Sequence, residues 1–164
     1  MWLWRNARRA RWEHDRDPEN PEHVGEAAKD VSLRNERGEL GLSVFRVETT
    51  ADAQRVAILY ASTLLDRPGK LDYLMAPSQC FENLELVVSH RPVEGLYPYL
   101  SERHYEVMGL DESVSLALAR ELLASPERVV VRIRESELIA ELRKLMVKEP
   151  LLHHFVGEAW RNLL

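Results

Sequence analysis

"MWLWRNARRARW", Met1 to Trp12, interleaves three tryptophans with four arginines and contains no acid. How it is read decides where the folded domain begins. Placed on a helix, Trp4, Arg8, Arg11 and Trp12 share one side. The next residues, 13–30, reverse the charge, with seven acids against Arg16 and Lys29. Within them "DRDPENPEHVGEAAKD", Asp15 to Asp30, carries Pro18, Pro21 and Gly25 and few large apolar side chains. Such a segment has little to bury against the entropy of ordering it. The stretch 1–30 therefore reads as a Trp/Arg arm followed by an acidic linker, and 31–164 as a single α+β domain.

A chain of 164 residues suffices for one core that buries about 68–70 % of the unfolded surface. With 45 % hydrophobic and 30 % charged residues, its composition is that of a globular domain rather than a disordered or fibrous one. Cys80 is the one cysteine, so neither an intrachain disulfide nor a multi-cysteine zinc site can form. The N-terminus runs apolar then basic, the reverse of a secretory signal. No stretch approaches the roughly 20 apolar residues of a membrane span. The expected location is cytoplasmic, and the net charge of −5 disfavours broad nucleic-acid binding.

Beyond residue 31 the hydrophobic period changes repeatedly. "LSVFRVE", Leu42 to Glu48, alternates and is rich in β-formers, which predicts a strand. Thr49 and Thr50 can cap a helix carrying Ala53, Val56, Ala57, Tyr60 and Leu64 at helical spacing. "LDYLMA" (Leu71 to Ala76) and "LELVVSH" (Leu84 to His90) read as an antiparallel hairpin. Asp111 caps the next helix, "RVVVRIR" (Arg128 to Arg134) is a strand, a helix begins at Ser136, and a last helix follows Pro150. The expected fold is a four-stranded, mainly antiparallel sheet with helices on one face and a C-terminal helix pair. Its order admits a split βαβ sandwich of ferredoxin-like type.

"LSERHYEVMGLDES", Leu100 to Ser113, concentrates the most reactive side chains. Ser101 can open and Gly109 close a helical turn there, which points Arg103, His104, Tyr105 and Glu106 in different directions. A strand instead places His104 and Glu106 on one face. The enzyme alternative is a hydrolase or transferase centred on His104, with Cys80, Tyr105 or Glu106. A thiolate at Cys80 needs a cation, an imidazole or a helix N-terminus beside it; a small buried filler needs none. His153 with His154 diverge on a helix, and His154 with Glu158 lacks a third ligand, so no metal and no cofactor is expected.

No phosphate loop, nucleophile elbow or zinc signature occurs. The leading expectation is a small non-enzymatic binding or adaptor protein that contacts another subunit or a second copy as a homodimer. Trp2, Trp4, Arg5, Arg8, Arg9, Arg11 and Trp12, with Phe155 and Trp160 at the C-terminus, are the contact residues, because interfaces favour tryptophan and arginine. A nucleic-acid accessory protein using Arg5, Arg8, Arg9 and Arg11 is the further alternative.

Overall fold

The structure, a computed structural model, describes residues 1–31 and 42–164. Its strands are β1 (Trp2–Asn6), β2 (Leu42–Val47), β3 (Leu71–Pro77), β4 (Val87–His90), β5 (His104–Met108) and β6 (Val129–Ile133). Its longer helices are α1 (Pro21–Val31), α2 (Thr50–Leu64), α5 (Glu112–Ala124) and α6 (Glu135–Lys148). Single turns of helix form α3 (Gln79–Glu82), α4 (Pro98–Ser101) and α7 (Glu158–Arg161). The fold is α+β with one open antiparallel sheet, in the order β4-β5-β2-β1-β3-β6.

The sheet has six strands rather than four. The first addition is β1, inside the stretch expected to be an arm. Its five residues lie in the middle of the sheet, antiparallel to β2 through Trp4↔Phe45 and to β3 through Trp4↔Met75. Since β2 and β3 both oppose β1, they run parallel to each other, and α2 carries the chain from one to the other across it. The second addition is β5, expected as a helical turn. Pairing on both sides, Phe45↔His104 with β2 and His90↔Tyr105 with β4, overrides the local preference of "HYEVM". Gly109, at φ 84°, turns the chain out of β5 in the left-handed region a glycine tolerates.

The expected β3–β4 hairpin does not form, because β1, β2 and β5 lie between the two strands. Helices cover both faces of the sheet rather than one. On the first face α2 and α6 close over Trp4, Phe45, Val47, Tyr73 and Met75. On the second α1 and α5 close over Leu3, Leu42, Val44 and Leu74. Each face removes its own apolar set from water, the dominant favourable term in folding.

Local signals place most of the helices. Thr49 accepts from the Asp52 amide at 3.0 Å and Asp111 from the Val114 amide at 2.8 Å, so both expected caps are made. α1 corrects the linker: the Asn20 side chain accepts from the Glu22 amide at 2.9 Å, Pro21 opens the helix, and Val24, Ala27, Ala28 and Val31 form its buried stripe. The last expected helix is broken. Pro150–His154 is a 3-10 turn, and the Gly157 amide donates to the Ser62 carbonyl at 2.9 Å, which ties the chain to α2 before α7 begins. α6 therefore has no long C-terminal partner.

Trp4 has no exposure, and its ring lies 5.7 Å from Phe45, 5.1 Å from Tyr60 and 5.5 Å from Tyr73. Truncating a buried aromatic of this size costs about 3–5 kcal/mol. Trp4→Ala is expected to lower the urea midpoint by that equivalent, and Arg9→Ala, at an exposed site, to change stability by less than about 0.5 kcal/mol. Equal effects of the two changes contradict the central placement of β1.

Candidate functional site

The residues singled out around His104 do not converge. His104 is 5 % exposed; its Nδ1 donates to the Arg91 carbonyl at 2.6 Å, and its ring meets Phe45 edge-on at 5.6 Å. Glu106 shares that side of β5, whereas Tyr105 packs toward the second core. Cys80 sits in α3, buried in that second core, where desolvation pushes its thiol up. A buried thiol of this kind is inert. His104 therefore has neither Cys80 nor Tyr105 as a partner.

The proposed contact residues separate in the same way. Trp4, Trp12 and Trp160 are buried, and Phe155 packs on Tyr97 at 5.3 Å. Trp2 is half-buried against the first core. Arg9 is exposed and pairs with Glu13 at 3.2 Å. Arg5, Arg8 and Arg11 instead turn into one cleft. Among the described residues no cluster of three His, Cys, Asp or Glu could hold a metal, and no helix is long and apolar enough to cross a membrane.

The cleft opens where β1 ends, β3 begins and α1 stops. The chain leaves β1 with the Ala7 amide on the Asp72 carbonyl at 3.2 Å, then makes the 3-10 turn Arg9–Arg11. Asp30, in the last turn of α1, fastens that turn. Its carboxylate accepts from the Arg8 amide at 3.0 Å, from the Trp12 indole at 2.8 Å and from the Arg11 guanidinium. On the opposite wall Asp72 takes a two-pronged contact from Arg132, at 2.6 and 2.8 Å. That guanidinium holds the Asp72 carboxyl below its ordinary value.

The cleft has a volume of about 560 Å³, within the range typical of small-molecule sites. Arg5, Arg8, Arg11, Lys29 and Lys70 line it together with Asp30 and Asp72, and Tyr60, Leu65 and Leu71 complete the wall. The carboxylates are committed: Asp30 to Arg11, Asp72 to Arg132. Lys29 pairs with Glu26. Arg5, Arg8 and Lys70 have no carboxylate within ion-pair distance among the described residues. Arg5 donates through Nη1 to the Ser43 carbonyl at 2.8 Å, while its buried Nε has no partner among the described residues. Burial pulls that guanidinium below its ordinary value.

Of this set, Arg5, Arg8 and Arg11 stood out in the sequence. Lys29, Asp30, Lys70 and Asp72 did not, because nothing local joins them to the N-terminus. Only the pairing of β1 with β3 and the return of α1 bring them together.

A second polar cluster lies on the first face of the sheet. Arg55 and Arg103 stack on the Tyr99 ring at 4.0 and 3.7 Å, and Tyr99 donates to Asp52 at 3.0 Å. Tyr97 donates to Glu149 at 2.5 Å, which also accepts from Arg55 at 2.7 Å. Arg55 is paired with Glu149 although its buried Nε has no partner among the described residues, and the cluster acts as a clamp joining α2, α4 and the end of α6. Burial and the Glu149 carboxylate push the Tyr97 phenol up to about 12.

Two measurements check these placements. Cys80 is expected to resist iodoacetamide in the folded protein and to react at once in denaturant; rapid labelling of the native chain contradicts its burial. The Tyr97 phenol has a higher pKa folded than unfolded, so its contribution is complete below the ordinary value near 10 and is lost as pH rises through about 12. Urea midpoints measured from pH 9 to 12 are expected to fall more steeply for the native sequence than for Tyr97→Phe. Parallel curves contradict the Tyr97–Glu149 contact.

No family model, curated protein or solved structure matches this chain, so the chemistry of the cleft itself carries the functional argument.

Proposed function

We propose that this chain is a non-enzymatic binding protein whose basic cleft holds a small anionic ligand. The observation that carries the proposal is the gathering of Arg5, Arg8 and Lys70 around one concave site, none matched by a carboxylate among the described residues. Cations lining one concave site repel one another, and at Arg5, half-buried with an unpartnered Nε, a charge without a counter-ion is costly. An anion in the cleft removes both penalties. Arginine suits the task because its planar fork matches carboxylate and phosphate oxygens.

Binding rather than catalysis fits the two acids present. Asp30 and Asp72 each accept from an arginine and from main-chain amides, so neither is free to take a proton from a substrate. The adaptor function expected from the N-terminus thereby changes its contact chemistry. The arginines supply the contact, while the tryptophans belong to the cores.

Isothermal titration calorimetry at low ionic strength tests the proposal with orthophosphate, sulfate and citrate. One-site binding is expected, weakening as salt rises. Loss of one charge-assisted hydrogen bond costs on the order of 1.5 kcal/mol, about tenfold in Kd. Arg8→Gln or Lys70→Gln is expected to weaken binding by that factor, and Lys144→Gln on α6 to leave it unchanged. Absence of heat with every anion at millimolar concentration, confirmed by an unchanged Tm, overturns the proposal.

A further inference from the structure

We infer that the ligand of this cleft carries a diphosphate group, an inference that rests on the cleft being an anion site. The first ground is charge. Arg11 is matched by Asp30, Lys29 by Glu26, and Asp72 by Arg132. This leaves three cationic side chains, Arg5, Arg8 and Lys70, lining the cleft with no carboxylate at ion-pair distance among the described residues, while the nearby Asp30 and Asp72 are each paired to another arginine. A monocarboxylate brings a single negative charge and a phosphate monoester about 1.5 to 2 at neutral pH. Two linked phosphoryl groups supply the charge that balances all three.

The second ground is reach. The unmatched cations come from different elements: Arg5 from β1, Arg8 from the chain just after it, and Lys70 from the residue before β3. Arg5 is anchored to the Ser43 carbonyl, and Arg8 is held through its own amide on Asp30. The Arg5 guanidinium and the Arg8 main chain are therefore each held in place on their own element. An extended anion with two tetrahedral centres meets cations on separate walls where they stand, and the volume of about 560 Å³ leaves room for it with an attached organic group.

The third ground is the wall chemistry. Leu65 and Leu71, with the Tyr60 ring, give one side of the cleft an apolar lining, which suits the non-ionic part of such a ligand. A nucleic-acid strand, the other phosphate-bearing candidate, fits less well: the surrounding protein is acidic, with a net charge of −5, and repels a long polyanion beyond the cleft.

Calorimetric titrations of the full chain without divalent cations, using pyrophosphate, orthophosphate and a single-stranded oligonucleotide, test the inference. Pyrophosphate is expected to bind at least about tenfold more tightly than orthophosphate, the gain from one additional charge-assisted contact. Arg8→Gln and Lys70→Gln are each expected to shrink that ratio, with circular dichroism confirming that both exposed-site variants stay folded. Equal affinity for the two phosphates overturns the diphosphate inference and leaves the anion site standing. Preference for the oligonucleotide also overturns it. Failure of all three to bind overturns the anion site as well.

Discussion

The sheet depends on five residues, Trp2–Asn6, that hydrogen-bond to β2 on one side and β3 on the other. Without β1 the remaining strands fall into two groups, β4-β5-β2 and β3-β6, with nothing between them to satisfy the facing backbone donors and acceptors. A buried peptide group left unpaired costs as much as a lost hydrogen bond and more. The side chains make the same demand, since Trp4 is the ring about which Phe45, Tyr60 and Tyr73 assemble. The stretch whose composition suggests a loose arm is the part all else is built around.

Asp30 extends that constraint from the sheet to the helices. By accepting from the Arg8 amide, the Arg11 guanidinium and the Trp12 indole, it fixes the turn after β1 against the end of α1. Trp12 in turn fills the second core beside Leu3 and Val24. Arg128, on the other side of Trp12, donates to the Trp12 and Glu13 carbonyls at 3.3 and 3.0 Å. One carboxylate and one guanidinium thus hold the chain down between Arg8 and Glu13, and the rim of the cleft inherits their rigidity. Preorganised cations bind an anion with less ordering cost than mobile ones.

The elements legible in the sequence were those whose signals are local. Thr49 and Asp111 cap helices because a side-chain oxygen three residues from an amide needs no tertiary context, and Val129–Ile133 alternates on β-branched residues alone. β1 and β5 were not legible, because each is stabilised by pairing with a strand on both sides rather than by a pattern of its own. α1 was hidden by composition: its buried stripe is made of alanine and valine, which leave the segment looking like a solvated acidic linker. In the cleft the arginines were visible and the geometry was not, since Lys70 and Asp72 reach Arg8 only through the β1–β3 pairing.

The difference between a helix and a strand over Trp2–Asn6 decides the chemistry of the N-terminus. On a helix, Trp4, Arg8, Arg11 and Trp12 share a side and offer a partner both ring and charge. On a strand, alternate side chains oppose each other, so Trp4 enters the first core while Leu3 and Arg5 turn to the second. The thickness of the sheet then separates the Trp4 indole from the Arg5 guanidinium, and no one partner meets both. Arg5 comes to rest near the end of the central strand, half-buried, its buried Nε without a partner and its guanidinium paired with no carboxylate at ion-pair distance among the described residues. An anion that supplies the missing charge stabilises the strand on which both halves of the sheet depend. On the proposed function, ligand binding and the integrity of the sheet are linked in free energy through that one side chain.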